Sequence, residues 1–184
     1  GGLLESSIDI SRHFIDKGII VSTLSKDGLK EVKRGNGQAL TTKPLVVLVN
    51  EGSASASEIV SGAIKDNNRG KLVGNKTFGK GLVQSMRTLV DGSGLTVTVA
   101  KYLTPNGTDI NKSGIVPDIE VKMNINPILQ KEIGTRKDNQ YRAAENELIN
   151  IINEKNQTSY FNPKTTNLKA FLKINMEKKV FSIS

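Results

Sequence analysis

The sequence predicts an α/β fold with a mostly parallel, buried sheet and flanking helices. Three observations carry this reading. Leu45-Val46-Val47-Leu48-Val49 is an apolar run without polar alternation, the pattern of a strand covered on both faces. Ser53 to about Asp66 follows as a helix, and Lys71-Leu72-Val73 as the next short strand. Strand, helix, strand makes a βαβ unit, whose strands run parallel with a right-handed crossover.

The other elements follow in order. Residues 3–17 read as an amphipathic helix, with Leu4, Ile8 and Ile15 at helical spacing and Gly18 as its left-handed cap. Ile19 to Leu24 is β-branched and strand-like; Asp27-Gly28 turns it into a return strand from Leu29 to Arg34. Leu82 to Leu89 and Leu95 to Leu103 are strands joined by Asp91-Gly92-Ser93-Gly94. Thr96-Val97-Thr98-Val99 alternates strictly, so one face there is polar or meets solvent. Pro117 precedes a last short strand, Ile119 to Val121. Asn139 to Asn153 reads as a helix, with Tyr141, Ala144, Leu148 and Ile151 or Ile152 on one face. Beyond Glu154 the chain is rich in Asn and Lys and poorly patterned.

The 184 residues suit one domain, or one domain with an appendage. The chain contains no cysteine, which excludes disulfides, thiolate metal sites and cysteine nucleophiles. The single histidine, His13, argues against a histidine-rich metal site and a Ser-His-Asp triad; its place on the first helix makes it a surface or boundary packing residue, and Asp9 and Asp16 read as solvated charges on the same helix. No metal and no cofactor is expected. No stretch has the roughly 18 apolar residues of a membrane span, and the first residues do not read as a signal peptide. The net charge is +8, and residues 122–184 carry 11 basic against 6 acidic groups. Such a tail suits nucleic acid or an anionic surface, but aromatics for base stacking make up only 4%. The tail reads as a solvated basic segment, and no nucleic-acid partner is expected.

Two segments carry candidate chemistry. Gly52-Ser53-Ala54-Ser55-Ala56-Ser57-Glu58 follows a buried strand and opens a helix. Ser55 and Glu58 fit the Ser-x-x-Glu capping box, so Ser55 has a structural reading as a cap. Its functional reading is a nucleophile on a strand-to-helix turn, where the helix dipole and the next amide favour an oxyanion.

The second segment is Gly74-Asn75-Lys76-Thr77-Phe78-Gly79-Lys80-Gly81. It nearly spells a phosphate-binding loop, but Gly81 stands where the magnesium-binding hydroxyl belongs and strand-type residues follow, not a helix. Lys80 also reads as a solvated charge, or as a general base if burial by Phe78 and neighbouring strand residues favours its neutral form. Gln84, four residues on, is a candidate to hold the amine through an uncharged hydrogen bond.

These segments occur in order with Gly1-Gly2-Leu3-Leu4, Asp91-Gly92-Ser93-Gly94-Leu95, Lys101-Tyr102-Leu103-Thr104-Pro105 and Gly114-Ile115-Val116-Pro117-Asp118. Together they closely resemble the carboxyl-terminal processing proteases, or tail-specific proteases, of peptidase family S41. The resemblance covers roughly residues 1–122. Ile110-Asn111-Lys112, Ile133-Gly134-Thr135, Asp138 and Gln140-Tyr141 resemble its cyanobacterial and plastid branch.

The resemblance implies Ser55 as nucleophile, Lys80 as base and Gln84 as the assisting residue. It implies the amides of Ala56 and of Gly1 or Gly2 as oxyanion donors, and an α/β core shared with the Clp protease and crotonase folds. The division it implies is a protease core at 1–122, incomplete at its N-terminus, and a C-terminal extension at 123–184 that is helical at about 139–153. Family members carry a signal peptide, a peptide-binding PDZ domain and a first core strand before the Gly-Gly pair. The implied activity is ATP-independent serine endopeptidase cleavage near the C-termini of protein substrates, after export to a periplasm or thylakoid lumen. In the photosynthetic branch the substrate would be a photosystem II reaction-centre precursor. The alternative is a noncatalytic peptide-binding or scaffold domain of the same fold.

Overall fold

The computed structural model describes residues 1–124 and 132–160. Its elements are α1 (Leu4–Arg12), β1 (Ile19–Ser25), β2 (Lys30–Arg34), β3 (Val46–Val49), α2 (Ala56–Asp66), β4 (Lys71–Gly74), β5 (Leu82–Thr88), β6 (Gly94–Leu103), β7 (Ile119–Glu120) and α3 (Asn139–Tyr160). The βαβ unit forms as its sequence dictates: β3 and β4 pair in parallel, Val46 to Lys71 through Val49 to Gly74, with α2 between them in the chain. β7 joins the other side of β4, also in parallel.

The sheet is not mostly parallel, however. Four of the described strands form a separate antiparallel sheet in the order β2-β1-β6-β5, and three form the parallel sheet β3-β4-β7. The reason lies in the connections. Asp27-Gly28 and Asp91 to Gly94 are tight turns, with Gly28 at φ 85 and Gly92 at φ 84, and a tight turn can only return its strand antiparallel. Nor is β3 covered on both faces. It is an edge strand, and Leu48 is 42% exposed, whereas Leu72 and Val73 of the central β4 are fully buried. Alternation along β6 does not divide a dry face from a wet one either. Leu95, Thr96, Val97 and Val99 are all exposed and Thr98 is half-buried, because the distal part of the β5–β6 hairpin extends past the core.

α2 is the centre of the molecule. One side of it joins a cluster with Ile8, Ile15, Ile20, Val21 and Tyr102 through Ile59 and Ala63. Its other side joins Val49, Leu72, Ile110 and Ile115 through Ile64. Each such side chain taken fully from water contributes about 1.5–3 kcal/mol, so α2 is fixed from both sides. The first helix is shorter than its periodicity predicts. It ends at Arg12 with His13 as its C-cap residue, and Gly18, at φ 123, opens the way to β1 and does not cap the helix. Ile15 leaves the helical repeat and still reaches the core, at 2% exposure. The basic stretch beyond residue 160 lies outside the described residues.

Candidate active site

Ser55 stands where the chain leaves the loop after β3 and enters α2. It is the N-cap residue of that helix, at φ 55 and ψ −115. An N-cap residue is ordinarily extended. A serine with positive φ costs on the order of 1–3 kcal/mol and persists only where its surroundings enforce it. Capping does not ask for that conformation. A sharp strand-to-helix turn that presents a nucleophile does.

The enforcing group is Glu58. Its side chain is fully buried, and its carboxylate accepts four hydrogen bonds. Oε2 accepts the amide of Ser55 at 2.9 Å and the amide of Lys80 at 2.8 Å. Oε1 accepts the amide of Gly79 at 2.7 Å and the hydroxyl of Thr77 at 2.5 Å. An ionised carboxylate is an acceptor only, with about four lone-pair sites, so these four donors saturate it. Two loops distant in sequence thereby share one acceptor atom. The amide of Phe78, bonded to the Ser53 carbonyl at 3.0 Å, adds a direct main-chain link between them.

The loop carrying Lys80 is clamped from its other side by residues 110–115. Thr77 and Ile115 are bonded twice, the amide of Thr77 donating to the Ile115 carbonyl at 3.0 Å and the Ile115 amide donating to the Thr77 hydroxyl at 2.7 Å. The Gly79 carbonyl accepts the Lys112 amide at 2.8 Å. Close approach is why glycine recurs here. A Cβ on Gly79 would meet the Gly114 nitrogen at 2.9 Å, and one on Gly114 would meet the Thr77 carbonyl oxygen at 2.3 Å. A strand, not a helix, follows this loop, so Gly74 to Gly81 is not a phosphate loop.

The N-terminal glycines lie beside the same turn. A Cβ on Gly1 would stand 3.2 Å from the Ala54 carbonyl oxygen and 3.8 Å from the Ser55 Cβ; one on Gly2 would stand 4.0 Å from the Ala56 Cβ. The amides of Ser57 and Glu58 are taken by the carbonyls of Ala54 and Ser55, while that of Ala56 has no acceptor among the described residues.

Other expectations are not met. Phe78 is 65% exposed and Lys80 is itself exposed, so the described residues do not supply the burial predicted for the amine. Lys80 precedes β5, and a register shift falls between Val83 and Gln84, which interrupts the alternation that would align Lys80 with Gln84. Gln84 is exposed, and no hydrogen bond joins the two side chains among the described residues. Among the described residues there is no cluster of ligands suited to a metal ion, and no helix long and apolar enough to cross a membrane. Glu58 and Thr77 are the site groups that sequence reasoning missed. The capping box brings Glu58 to Ser55, but nothing local announces its bond to Lys80.

The strand-to-helix turn and the two clamped loops coincide with a family match: residues 1–121 fit the model of peptidase family S41, and the chain belongs to that family. It is 53% identical over 145 residues to a carboxyl-terminal-processing protease of Synechocystis, an alignment covering 78% of this chain and 33% of the relative. It is 44% identical over 128 residues to a chloroplastic C-terminal processing peptidase of Tetradesmus obliquus, covering 69% of this chain and 28% of the relative. Among solved structures, a photosystem II D1 C-terminal processing protease superposes with a TM-score of 0.64 at 46% identity, over 66% of this chain and 32% of that one. An S41 protease fold from Bacteroides fragilis gives the same TM-score at 16% identity, over 82% of this chain and 42% of that one. The chain thus spans about a third of the length of the curated relatives it matches.

Proposed function

We propose that this chain carries the catalytic machinery of a serine endopeptidase that cleaves near the C-termini of protein substrates, with Ser55 and Lys80 as a dyad. The observation that carries the proposal is the shared carboxylate: Glu58 Oε2 takes the amides of Ser55 and Lys80 together, and so registers a strained serine against a lysine 25 positions later. The Ser55 Oγ attacks the scissile carbonyl carbon while Lys80 Nζ, neutral at that step, takes the hydroxyl proton. The tetrahedral oxyanion is held by the Ala56 amide and an amide of Gly1 or Gly2. Lys80 returns the proton to the leaving amine, and an acyl-enzyme on Ser55 remains. Water, deprotonated by Lys80, then attacks the acyl carbon; the bond to Ser55 Oγ breaks, Lys80 returns the proton to that oxygen, and the new C-terminal carboxylate leaves. The proposed role of Gln84 is to hold the Lys80 amine without adding charge.

The fold proposed for this part is the α/β core of the Clp protease and crotonase type at residues 1–122, with a C-terminal extension at 123–184 that is helical at about 139–153. The parallel β3–α2–β4 unit and the family match over residues 1–121 support it. The cyanobacterial and chloroplastic relatives support a periplasmic or thylakoid-lumen location. The D1 processing protease among the structural neighbours supports a photosystem II precursor as substrate. The test is cleavage of a peptide matching such a precursor's C-terminal segment by the natural protein bearing this sequence, with and without Ser55→Ala. Loss of cleavage with retained folding is expected. Undiminished cleavage by the alanine variant would remove Ser55 from the mechanism.

A further inference from the structure

We propose that Thr77 is a positioning residue for this site, acting through Glu58 to set the efficiency of the chemical step and not the affinity for substrate. The inference rests on the dyad reading above. The Thr77 side chain is buried, at 4% exposure. Its hydroxyl lies 2.5 Å from Glu58 Oε1 and 2.7 Å from the Ile115 nitrogen. The direction of both bonds is fixed by chemistry. The Ile115 amide can only donate, so the hydroxyl accepts there. A carboxylate can only accept, so the hydroxyl's single proton goes to Glu58. A hydroxyl-to-carboxylate bond of this length belongs to the stronger, charge-assisted class.

Thr77 therefore joins three segments: the 110–115 loop, α2 through Glu58, and its own loop, which continues to Gly79 and Lys80. Without the hydroxyl, Glu58 Oε1 keeps only the Gly79 amide, and the Ile115 amide loses its partner in the interior. Glu58 then gains rotational freedom, and the atom it moves is the one that holds Ser55 and Lys80 in register. Thr77 and Glu58 have no need to touch substrate for this. A displacement of about 1 Å between reacting groups costs on the order of a hundredfold in rate, while the substrate's own contacts are left in place.

The test compares Thr77→Val, which keeps the shape and loses the hydroxyl, with Thr77→Ser, which keeps the hydroxyl, in the natural protein bearing this sequence. For Thr77→Val, kcat should fall by about 10- to 100-fold with KM changed less than about threefold. Thr77→Ser should restore kcat to within about threefold. Wild-type kcat in Thr77→Val, or equal impairment of the two variants, overturns the proposal, as does a loss carried by KM alone. Amide hydrogen exchange on the wild-type protein tests the same coupling even if Thr77→Val fails to fold. The amides of Ser55, Gly79, Lys80 and Ile115 should open together, and free exchange at Lys80 beside a protected Ile115 overturns the proposal. If Ser55→Ala retains activity while these four amides still open together, it is the dyad reading that fails and not the coupling through Thr77.

Discussion

Glu58 Oε2 lies 2.8 Å from the amide nitrogen of Lys80, a residue 22 positions away, while accepting the amide of Ser55 at 2.9 Å. Glu58→Gln keeps the size of the side chain but places an NH2 group where an acceptor stood. At least one buried amide then loses its partner, at a cost of about 1–3 kcal/mol. Denaturant unfolding should show that loss, and peptide cleavage should fall with it. A variant as stable and as active as wild type would show that the four bonds to this carboxylate are dispensable.

Ser55 holds positive φ at the expense of strain, and glycine does not pay that penalty. Ser55→Gly and Ser55→Ala both remove the hydroxyl and should both be inactive. They should differ in stability, with the glycine variant more stable than the alanine variant by about 1 kcal/mol, since glycine also costs only a few tenths at an N-cap. Thermal melts of the pair check this. An alanine variant at least as stable as the glycine variant would mean that the turn is not strained.

Lys80→Arg preserves a positive charge on a long side chain but cannot release its proton. It should abolish cleavage as completely as Lys80→Ala. Gln84→Ala should only impair cleavage, because Gln84 is exposed and beyond a register shift. Steady-state kinetics on the three variants decide the matter, and turnover by Lys80→Arg would end the dyad mechanism.

His13 is an exposed residue at the end of α1 and has no role in the proposed chemistry. His13→Ala should change kcat/KM by less than about tenfold, or roughly 1.4 kcal/mol of barrier, and chelators should leave activity intact. A larger loss in the same assay would place a proton-transfer role on His13.

Asp109 adjoins the loop that clamps Lys80. The Lys101 ammonium, at 2.9 Å, holds its carboxyl below the usual range, and the Asn111 amide adds to the effect. A carboxyl whose pKa is lower folded than unfolded stabilises the fold above the unfolded value, near 3.9, and that contribution disappears as pH falls through the folded value. Asp109→Asn should therefore flatten the acid side of the stability–pH curve below about pH 4. An unchanged acid limb in urea titrations would show that the pair contributes nothing to folding.

The parts of this fold that were legible in the sequence are those set by local rules. The parallel pairing of β3 with β4 followed from an apolar run, a helix and a second run. The two hairpins followed from Asp27-Gly28 and from Asp91 to Gly94. Exposure of β3 was not legible, because an edge strand and a central strand have the same apolar composition, and only the order of strands separates them. The same holds at the site. The Ser55–Glu58 pairing is a spacing of three on one helix and can be read directly. The meeting of Glu58 with Thr77, Gly79 and Lys80 depends on how two loops fold over α2, which no local pattern encodes. Phe78 sits beside a catalytic candidate in sequence, and its apolar character suggested a cover for Lys80; the main chain turns it outward instead.

At positions 55 and 80 Glu58 grips main-chain nitrogens and not the side chains. The frame therefore does not depend on the chemistry of the side chains it presents at positions 55 and 80. A single substitution at either position could silence chemistry and leave the architecture standing, so enzymes and inert decoys of this design would lie one mutational step apart. Such silenced copies, made deliberately, would make natural traps: they should capture the substrate that the active form would consume and release.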